Sequence, residues 1–358
     1  MRILVIGAGP AGLAAALSAA KSDSEVLIFE KNSRVGMKAC GEALGREGLD
    51  FVGMEPSRKF VMNEVKGFRI SYKGKFIREA SFMHYASSPG YVVDKPLLLE
   101  AILEKAKESG AKICFNARVR EADPKTGKIK LEDGTIVQGD LIVCADGLGS
   151  IARSHLDYSN YDVATCLQYC CPLPREIDQE YLYLDIIGEG YAWVFPKKDH
   201  ANIGAGLPNR SGSIKLLKNY LDRYIKNLRV EPIGRIMGAQ ASIGGPLKSF
   251  GIGKIVVAGE AAGCVMPLSG EGIRFGFYGG IIAHQPEYKN RFMAKYGNNM
   301  ENSRKMLVAI EGLNDGERID LLRQLEDPLK TLEGELPKIA TFLHKPKLLM
   351  KLAQVYLS

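Results

Sequence analysis

Residues 2 to 13 read Arg2-Ile3-Leu4-Val5-Ile6-Gly7-Ala8-Gly9-Pro10-Ala11-Gly12-Leu13, and this stretch decides the fold class. Arg2 to Ile6 is a short β-branched and apolar run, while Leu13 to Lys21 is alanine-rich with high helix propensity, so the glycines lie between a strand and a helix. Glu25 to Glu30 adds a second apolar strand, Val26-Leu27-Ile28-Phe29, with a carboxylate at its C-terminal end. Strand, glycine turn, helix, strand and acid in that order form a dinucleotide fingerprint in its required context. Gly7 makes the tight turn, Gly9 lets the backbone approach a pyrophosphate at the helix N-terminus opened by Pro10 and Ala11, and Gly12 lets helix and strand pack closely. Glu30 is expected on the adenosine ribose hydroxyls. The same glycines dispose of the other reading of Ile3 to Ala20, an uncharged run about as long as a membrane span or signal peptide.

The chain has 358 residues, 46% hydrophobic and 25% charged, which excludes disordered and collagen-like classes. Forty-eight Lys and Arg against 41 Asp and Glu give +7, but the charges are scattered rather than gathered into a basic block, so nucleic acid is not the implied partner. The 39 glycines exceed the roughly 7 per cent of average usage and point to many tight turns or close approaches. Seven cysteines, at 40, 114, 144, 166, 170, 171 and 264, show no two-residue spacing, and the histidines at 84, 155, 200, 284 and 344 share no ligand spacing. No metal site is expected, and the odd cysteine count reads as reduced and cytoplasmic.

Two later stretches choose the dinucleotide. Gly139 to Gly147 is an apolar strand running into Ala145-Asp146-Gly147. Lys254 to Gly263 is an apolar strand ending in Gly259-Glu260-Ala261-Ala262, followed by Pro267 and by Gly270-Glu271-Gly272-Ile273 at the start of a helix. In flavoproteins an acid at the place of Glu260 holds the ribityl chain while the following helix N-terminus faces the flavin pyrimidine. Both ends of an FAD are then accounted for.

Together these motifs resemble the FAD-dependent oxidoreductases of the aromatic hydroxylase type, and within them the geranylgeranyl reductase family. The narrower resemblance lies in Arg34-Val35-Gly36-Met37-Lys38-Ala39-Cys40-Gly41-Glu42, similar to the family's Cys-Gly segment, and in Gly190-Tyr191-Ala192-Trp193-Val194-Phe195-Pro196-Lys197 followed by Asn202-Ile203-Gly204-Ala205-Gly206, similar to its Tyr-x-Trp-x-Phe-Pro strand pair. It covers roughly the first 290 residues. The resemblance implies hydride transfer from reduced FAD to isoprenoid C=C bonds of a geranylgeranyl lipid, either an ether-lipid precursor or a prenyl diphosphate. It implies catalytic positions Cys40, Gly41 and Glu42, with Cys40 a candidate for gating or proton supply. Further FAD contacts are implied at Lys31, Lys38, Ala39, Lys95 and Val119, and a substrate wall at Tyr191, Trp193, Phe195 and Pro196. Two positions depart from the pattern. Glu260 replaces the usual Asp, adding a methylene, and Lys95 replaces the usual Arg, putting a point charge where a fork would grip phosphate.

The expected architecture is α/β, α+β overall: a Rossmann-like FAD-binding domain interleaved with an antiparallel-sheet substrate domain, plus C-terminal helices. The FAD domain is assigned to 1–60, 94–158 and 250–287, the substrate domain to 61–93 and 159–249, and the helical segment to 288–358. Helices are expected at Asp94 to Gly110, with Asp94 as N-cap, and at about 213 to 227. From Lys338 to Ser358 four lysines and no acids alternate with Leu343, Leu348, Leu349, Met350, Leu352 and Val355, a pattern suited either to peripheral membrane contact or to packing on the protein. A single fingerprint leaves no second nucleotide domain, so the external electron donor, whether NADPH, ferredoxin or another protein, must visit. Two rival functions share the FAD architecture: a monooxygenase acting on an aromatic ring, and a quinone-linked flavin dehydrogenase.

Overall fold

The computed structural model of the protein describes residues 1–82, 88–158, 162–209, 213–342 and 344–357; His84, Leu343 and the side chain of Val355 lie outside the described residues. The chain opens with strand β1 (Arg2–Ile6), helix α1 (Pro10–Ala20) and strand β2 (Glu25–Phe29). It continues with β3 (Ala43–Gly45), α2 (Arg46–Phe51), β4 (Val61–Val65), β5 (Gly67–Tyr72), β6 (Lys75–Ser81), β7 (Gly90–Val93) and α3 (Lys95–Glu108). Then come β8 (Lys112–Cys114), β9 (Val119–Ala122), β10 (Lys128–Leu131), β11 (Ile136–Gln138) and β12 (Leu141–Cys144). The central part holds β13 (Val163–Pro172), β14 (Tyr181–Ile186), β15 (Tyr191–Lys197), β16 (His200–Pro208), α4 (Ile214–Asn227) and β17 (Ile233–Ser242). The last strands, β18 (Gly251–Ile252) and β19 (Ile255–Val257), precede α5 (Ile273–Ile282), α6 (Tyr288–Glu311), α7 (Asp315–Gln324), α8 (Pro328–Leu332) and α9 (Pro346–Leu357).

The nucleotide fold is a six-stranded sheet in the order β18-β19-β12-β1-β2-β8, parallel except for the edge strand β18. Ile3, Leu4 and Val5 at its centre are fully buried, as expected for parallel strands covered on both faces. Helix α1 is pressed so close to α5 that a Cβ on Gly280 would stand 2.2 Å from the Ala11 carbonyl oxygen. Helix α3 starts at Asp94, whose side chain accepts from Leu97 N at 3.0 Å, and it buries Leu98, Leu99, Ile102 and Leu103.

The second layer is a seven-stranded sheet in the order β17-β13-β16-β15-β14-β5-β6. It departs from the expected single antiparallel sheet in two ways. Strands β14 and β5 pair in parallel, which requires the long crossover that the nucleotide fold itself provides. Strands β4 and β7 leave it and join β3 in a separate three-stranded sheet. That small sheet straddles the expected domain boundary and carries the chain straight out of Cys40-Gly41-Glu42. Helix α4, capped by Ser213, covers the large sheet with Leu217, Leu221 and Ile225.

At the C-terminal end, α7 begins at an Asn314 capping box closed by Glu317 and docks on the β5–β6 hairpin, where Tyr72 OH donates to Asp315 at 2.6 Å. Leu348 and Leu352 of α9 are buried with Met306, Leu313, Leu321 and Leu325. Lys338, Lys345 and Lys351 pair with Glu326, Asp320 and Glu317. Leu348 and Leu352 of this basic end therefore face inward and these three lysines meet acids of the preceding segments, while Met350 stays 68% exposed. Among the described residues no helix is long and apolar enough to cross a membrane.

Candidate active site

The glycine turn after β1 opens a cleft at the C-terminal edge of the parallel sheet. Gly7 has φ +93°, and a Cβ there would stand 2.6 Å from the Ala145 carbonyl oxygen. A Cβ on Gly12 would come within 1.8 Å of Gly7 O, so Gly12 packs helix on strand and does not line the cleft. Gly9 is different: its backbone is extended, at φ −78° and ψ −175°, and a Cβ there would meet no protein atom within 4 Å. Nothing among the described residues demands glycine at this position, and its bare backbone is open to a ligand in the cleft. Helix α1 starts with no side-chain cap and no acid in its first turn, leaving its N–H donors facing the cleft. Glu30 is held at the end of β2 by Ala8 N and Asn32 N, both at 2.9 Å. Across from it Asp146 Oδ2 accepts from Ile151 N at 2.8 Å, whereas its buried Oδ1 has no hydrogen-bond partner among the described residues. Burial pushes the Asp146 carboxyl above the ordinary range, against the hydrogen bonds from Ser150 and Ile151. Bare glycine, uncapped helix and unpartnered buried carboxylate oxygen are the features a dinucleotide would complete.

The next part of the wall is the segment from Lys38 to Glu42. Lys38 spans the cleft to Glu260 at 2.6 Å, and Glu260 also accepts from Ser242 N at 3.3 Å. Lys95, 5% exposed, does not reach out as a free cation: its Nζ donates to the Lys38 carbonyl. Glu42 sits at φ +72°, a left-handed conformation that a non-glycine residue adopts at a cost of about 1–3 kcal/mol. What holds it there is a set of interior bonds. Its carboxylate takes Lys197 Nζ, Asn202 Nδ2 at 2.9 Å and Lys95 N at 3.2 Å, and its carbonyl accepts from Val93 N at 2.9 Å. The Glu42 and Lys197 side chains are only 11% and 5% exposed. Glu42, which the resemblance places among the catalytic positions, is thus engaged in fixing the Cys40 segment onto the β15–β16 hairpin. Cys40 Sγ accepts from Glu42 N at 3.3 Å and lies half-buried in the cleft wall.

Tyr191, Trp193 and Phe195 alternate along β15 and share one face, with ring centroids 5.8 and 6.4 Å apart. All three line the cleft; Pro196, expected beside them, points to the other face and does not. Its carbonyl instead accepts from Asn63 at 3.1 Å. The indole lies over the glycines of β16, where a Cβ on Gly204 would stand 2.2 Å from it, and a Cβ on Gly41 would stand 2.7 Å from Phe195. Because Trp193 is the single tryptophan, Gly204→Ala has a direct readout. We expect a red-shifted emission and a stability loss of about 1–3 kcal/mol by denaturant titration; an unshifted spectrum would mean the indole does not pack there.

These parts share one cavity of about 1140 Å³. Besides the residues above, it is lined by Lys31, Ala39, Val119, Gly147, Gly259, Pro267, Gly270, Glu271, Gly272 and Ile273. Sequence reasoning missed its other half. Ile70, Leu182 and Leu184 of the large sheet face Met306, Leu307, Leu321, Leu325 and Leu329 of α6 to α8, forming an apolar arm. It also missed a polar hub in that wall, where Arg274 contacts Glu271 and Glu47 at 2.9 Å and also binds Glu333. The spacing of Glu271 and Arg274 is a helical pair legible in the sequence; the other two partners come from α2 and from the end of α8.

With this geometry in place, comparison with known proteins identifies the scaffold. Residues 162–242, spanning β13 to β17, match the geranylgeranyl reductase catalytic domain, and residues 5–54 match the NAD(P)-binding Rossmann-like domain. A digeranylgeranylglycerophospholipid reductase of Methanoculleus marisnigri is 30% identical over 307 residues, 79% of this chain and 75% of that protein. The chain belongs to the geranylgeranyl reductase family. A second family member of the same name, from Methanococcus vannielii, is 28% identical over 88% of both chains. The crystal structure of a geranylgeranyl bacteriochlorophyll reductase-like protein from Thermoplasma acidophilum superposes with a TM-score of 0.83 over 99% of this chain and 98% of that one, at 23% identity. The family's catalytic-domain match thus falls on the strands that carry Tyr191, Trp193 and Gly204, and its Rossmann match on the glycine turn.

Proposed function

We propose that this family member is an FAD-dependent reductase that saturates isoprenoid C=C bonds of a geranylgeranyl lipid. The observation that carries the reading is a single cavity in which the glycine-turn cleft and the aromatic strand of the catalytic-domain match open onto one apolar arm. Bound and reduced, FAD supplies a hydride. The chain's own residues do the rest. The α1 N-terminus and Gly9 would take the pyrophosphate, Glu30 the ribose, and Glu260 with Lys38 the ribityl region. Tyr191, Trp193 and Phe195 would form one side of the channel and the Cys40-Gly41 segment the other, so that a C=C bond is held in register and water is kept out. Leu321, Leu325 and Leu329 would receive the remaining isoprenoid chain. The electron donor is proposed to be external, since the cavity is already committed to one dinucleotide. Membrane docking is not proposed at α9, where Leu348 and Leu352 are buried against α6 and α7.

The test is to reduce the flavin of the purified protein without oxygen and offer three kinds of compound. Geranylgeranyl ether lipid or geranylgeranyl diphosphate is expected to reoxidise the flavin and gain hydrogen pairs by mass spectrometry. Reoxidation only by oxygen, speeded by an aromatic phenol, would favour the monooxygenase; a response to quinone alone would favour the dehydrogenase.

A further inference from the structure

Saturating a C=C bond breaks its π bond and forms two C–H bonds. One hydrogen comes with the electron pair of the reduced flavin; the other has to come as a proton, and an unactivated alkene in an apolar arm has no polar handle with which to draw one from water. Resting on the reductase reading above, we propose that the Glu333 carboxyl, seated on Arg274, holds this proton and gives it to the alkene carbon adjacent to the one that accepts the hydride.

Position is the first ground. Glu333 follows α8, whose Leu329 and Leu332 line the apolar arm, and Glu333 itself lines the same cavity together with Glu271, Arg274 and Glu47. Glu271 belongs to the glycine turn at the start of α5, and a Cβ on Gly270 in that turn would stand 3.7 Å from Tyr191 OH. The hub therefore lies where the aromatic wall, the glycine turn and the apolar arm meet.

Charge is the second. Facing Glu333 are Glu271 from the turn, Arg274 from α5, Glu47 from α2, and Lys295 and Tyr296 from α6, both of which contact Glu47. Two cations meet three carboxyl groups, so one proton restores neutrality to a cluster whose inner members, Arg274, Glu271 and Glu333, have side chains 10%, 22% and 23% exposed. Glu333 is the group that takes it. Burial and then the Glu271 charge push it up to about 7, against the opposing pull of Arg274. At Glu47 burial is outweighed by the hydrogen bonds from Arg274 and Lys295, and its carboxyl is held low. After transfer, the Glu333 carboxylate remains on the guanidinium, which stabilises the charge left behind. Glu47, with its side chain 40% exposed, gives the cluster a route to solvent protons for the next turnover. Other candidates in the wall are less suited: the Tyr191 hydroxyl already donates to Ser269 O, and burial holds the Cys166 thiol up at about 11.

Glu333→Gln, which keeps the size and an oxygen for Arg274, tests this with prenyl-lipid reduction from pre-reduced flavin and with an infrared pH titration of carboxyl groups. The wild-type rate should fall as pH rises through about 7, because the donor is then ionised, and a protonated-carboxyl band should vanish over the same range. Glu333→Gln should remove that band, slow reduction about 100-fold and flatten the alkaline limb, with flavin absorbance and melting retained. Glu333→Asp should restore part of the rate and the limb; if Glu333→Gln fails to fold, this variant carries the test through a shifted limb. An unchanged rate and limb in Glu333→Gln, or a neutral-range band that survives the substitution, overturns the proposal. If the wild type itself reduces no prenyl lipid, the reductase reading fails instead, and the proposal falls with it.

Discussion

Replacing Lys197 by Met is expected to lower the free energy of unfolding by about 3–5 kcal/mol, because it leaves the Glu42 carboxylate buried without its cation. The pair is interior, at 5% and 11% side-chain exposure, so solvent cannot take over the role of the ammonium. The remaining partners, Asn202 Nδ2 and Lys95 N, are neutral donors. Removing both charges in Glu42→Gln/Lys197→Met should recover much of the loss, since a neutral pair carries no unpaired charge. The single variant should also free the Cys40 segment, seen as faster alkylation of Cys40 with the exposed Cys114 first replaced by Ser. A loss below about 1 kcal/mol in urea titration, with unchanged alkylation, would show that Glu42 does not anchor the segment.

Gly9→Val is the second large effect, and its value lies in what it leaves alone. The position has extended backbone and open space around its missing Cβ, so apo-protein stability should stay within about 0.5 kcal/mol of wild type. The new side chain would occupy the place where a pyrophosphate meets the α1 N-terminus. Flavin affinity is expected to drop by about 3 kcal/mol, roughly 100-fold, measured by titration of the apo-protein with FAD. Gly12→Ala gives the contrasting result: its Cβ would collide with Gly7 O at 1.8 Å, so stability and flavin binding should fall together. Full FAD affinity in Gly9→Val would remove the cofactor from this cleft.

What could be read from the chain was local. The β1–turn–α1–β2 unit, the capped α3 and α4 and the shared face of Tyr191, Trp193 and Phe195 all depend on neighbours within a few residues, where periodicity and capping chemistry act directly. What could not be read was pairing across distance. Nothing in residues 67–72 announces a parallel partner at 181–186. The mixed sheet and the separate β3-β7-β4 sheet arise from tertiary context. The Arg274 hub gathers Glu47, Glu271 and Glu333 from positions 286 residues apart at the extremes, and only the folded chain brings them together. The C-terminal lysines illustrate the converse: an acid-free run leaves membrane contact and packing equally open because its counter-charges, Asp320, Glu317 and Glu326, lie on preceding elements.

The central claim, one cavity that brings reduced flavin and an isoprenoid double bond together, is tested most directly by single-turnover stoichiometry. Protein carrying one equivalent of chemically reduced FAD is mixed without oxygen with excess geranylgeranyl ether lipid, while flavin absorbance and lipid mass are followed together. The account predicts that each flavin reoxidised removes one double bond and adds one pair of hydrogens to the lipid. Reduced flavin that persists until oxygen is admitted, with the lipid mass unchanged, would contradict it.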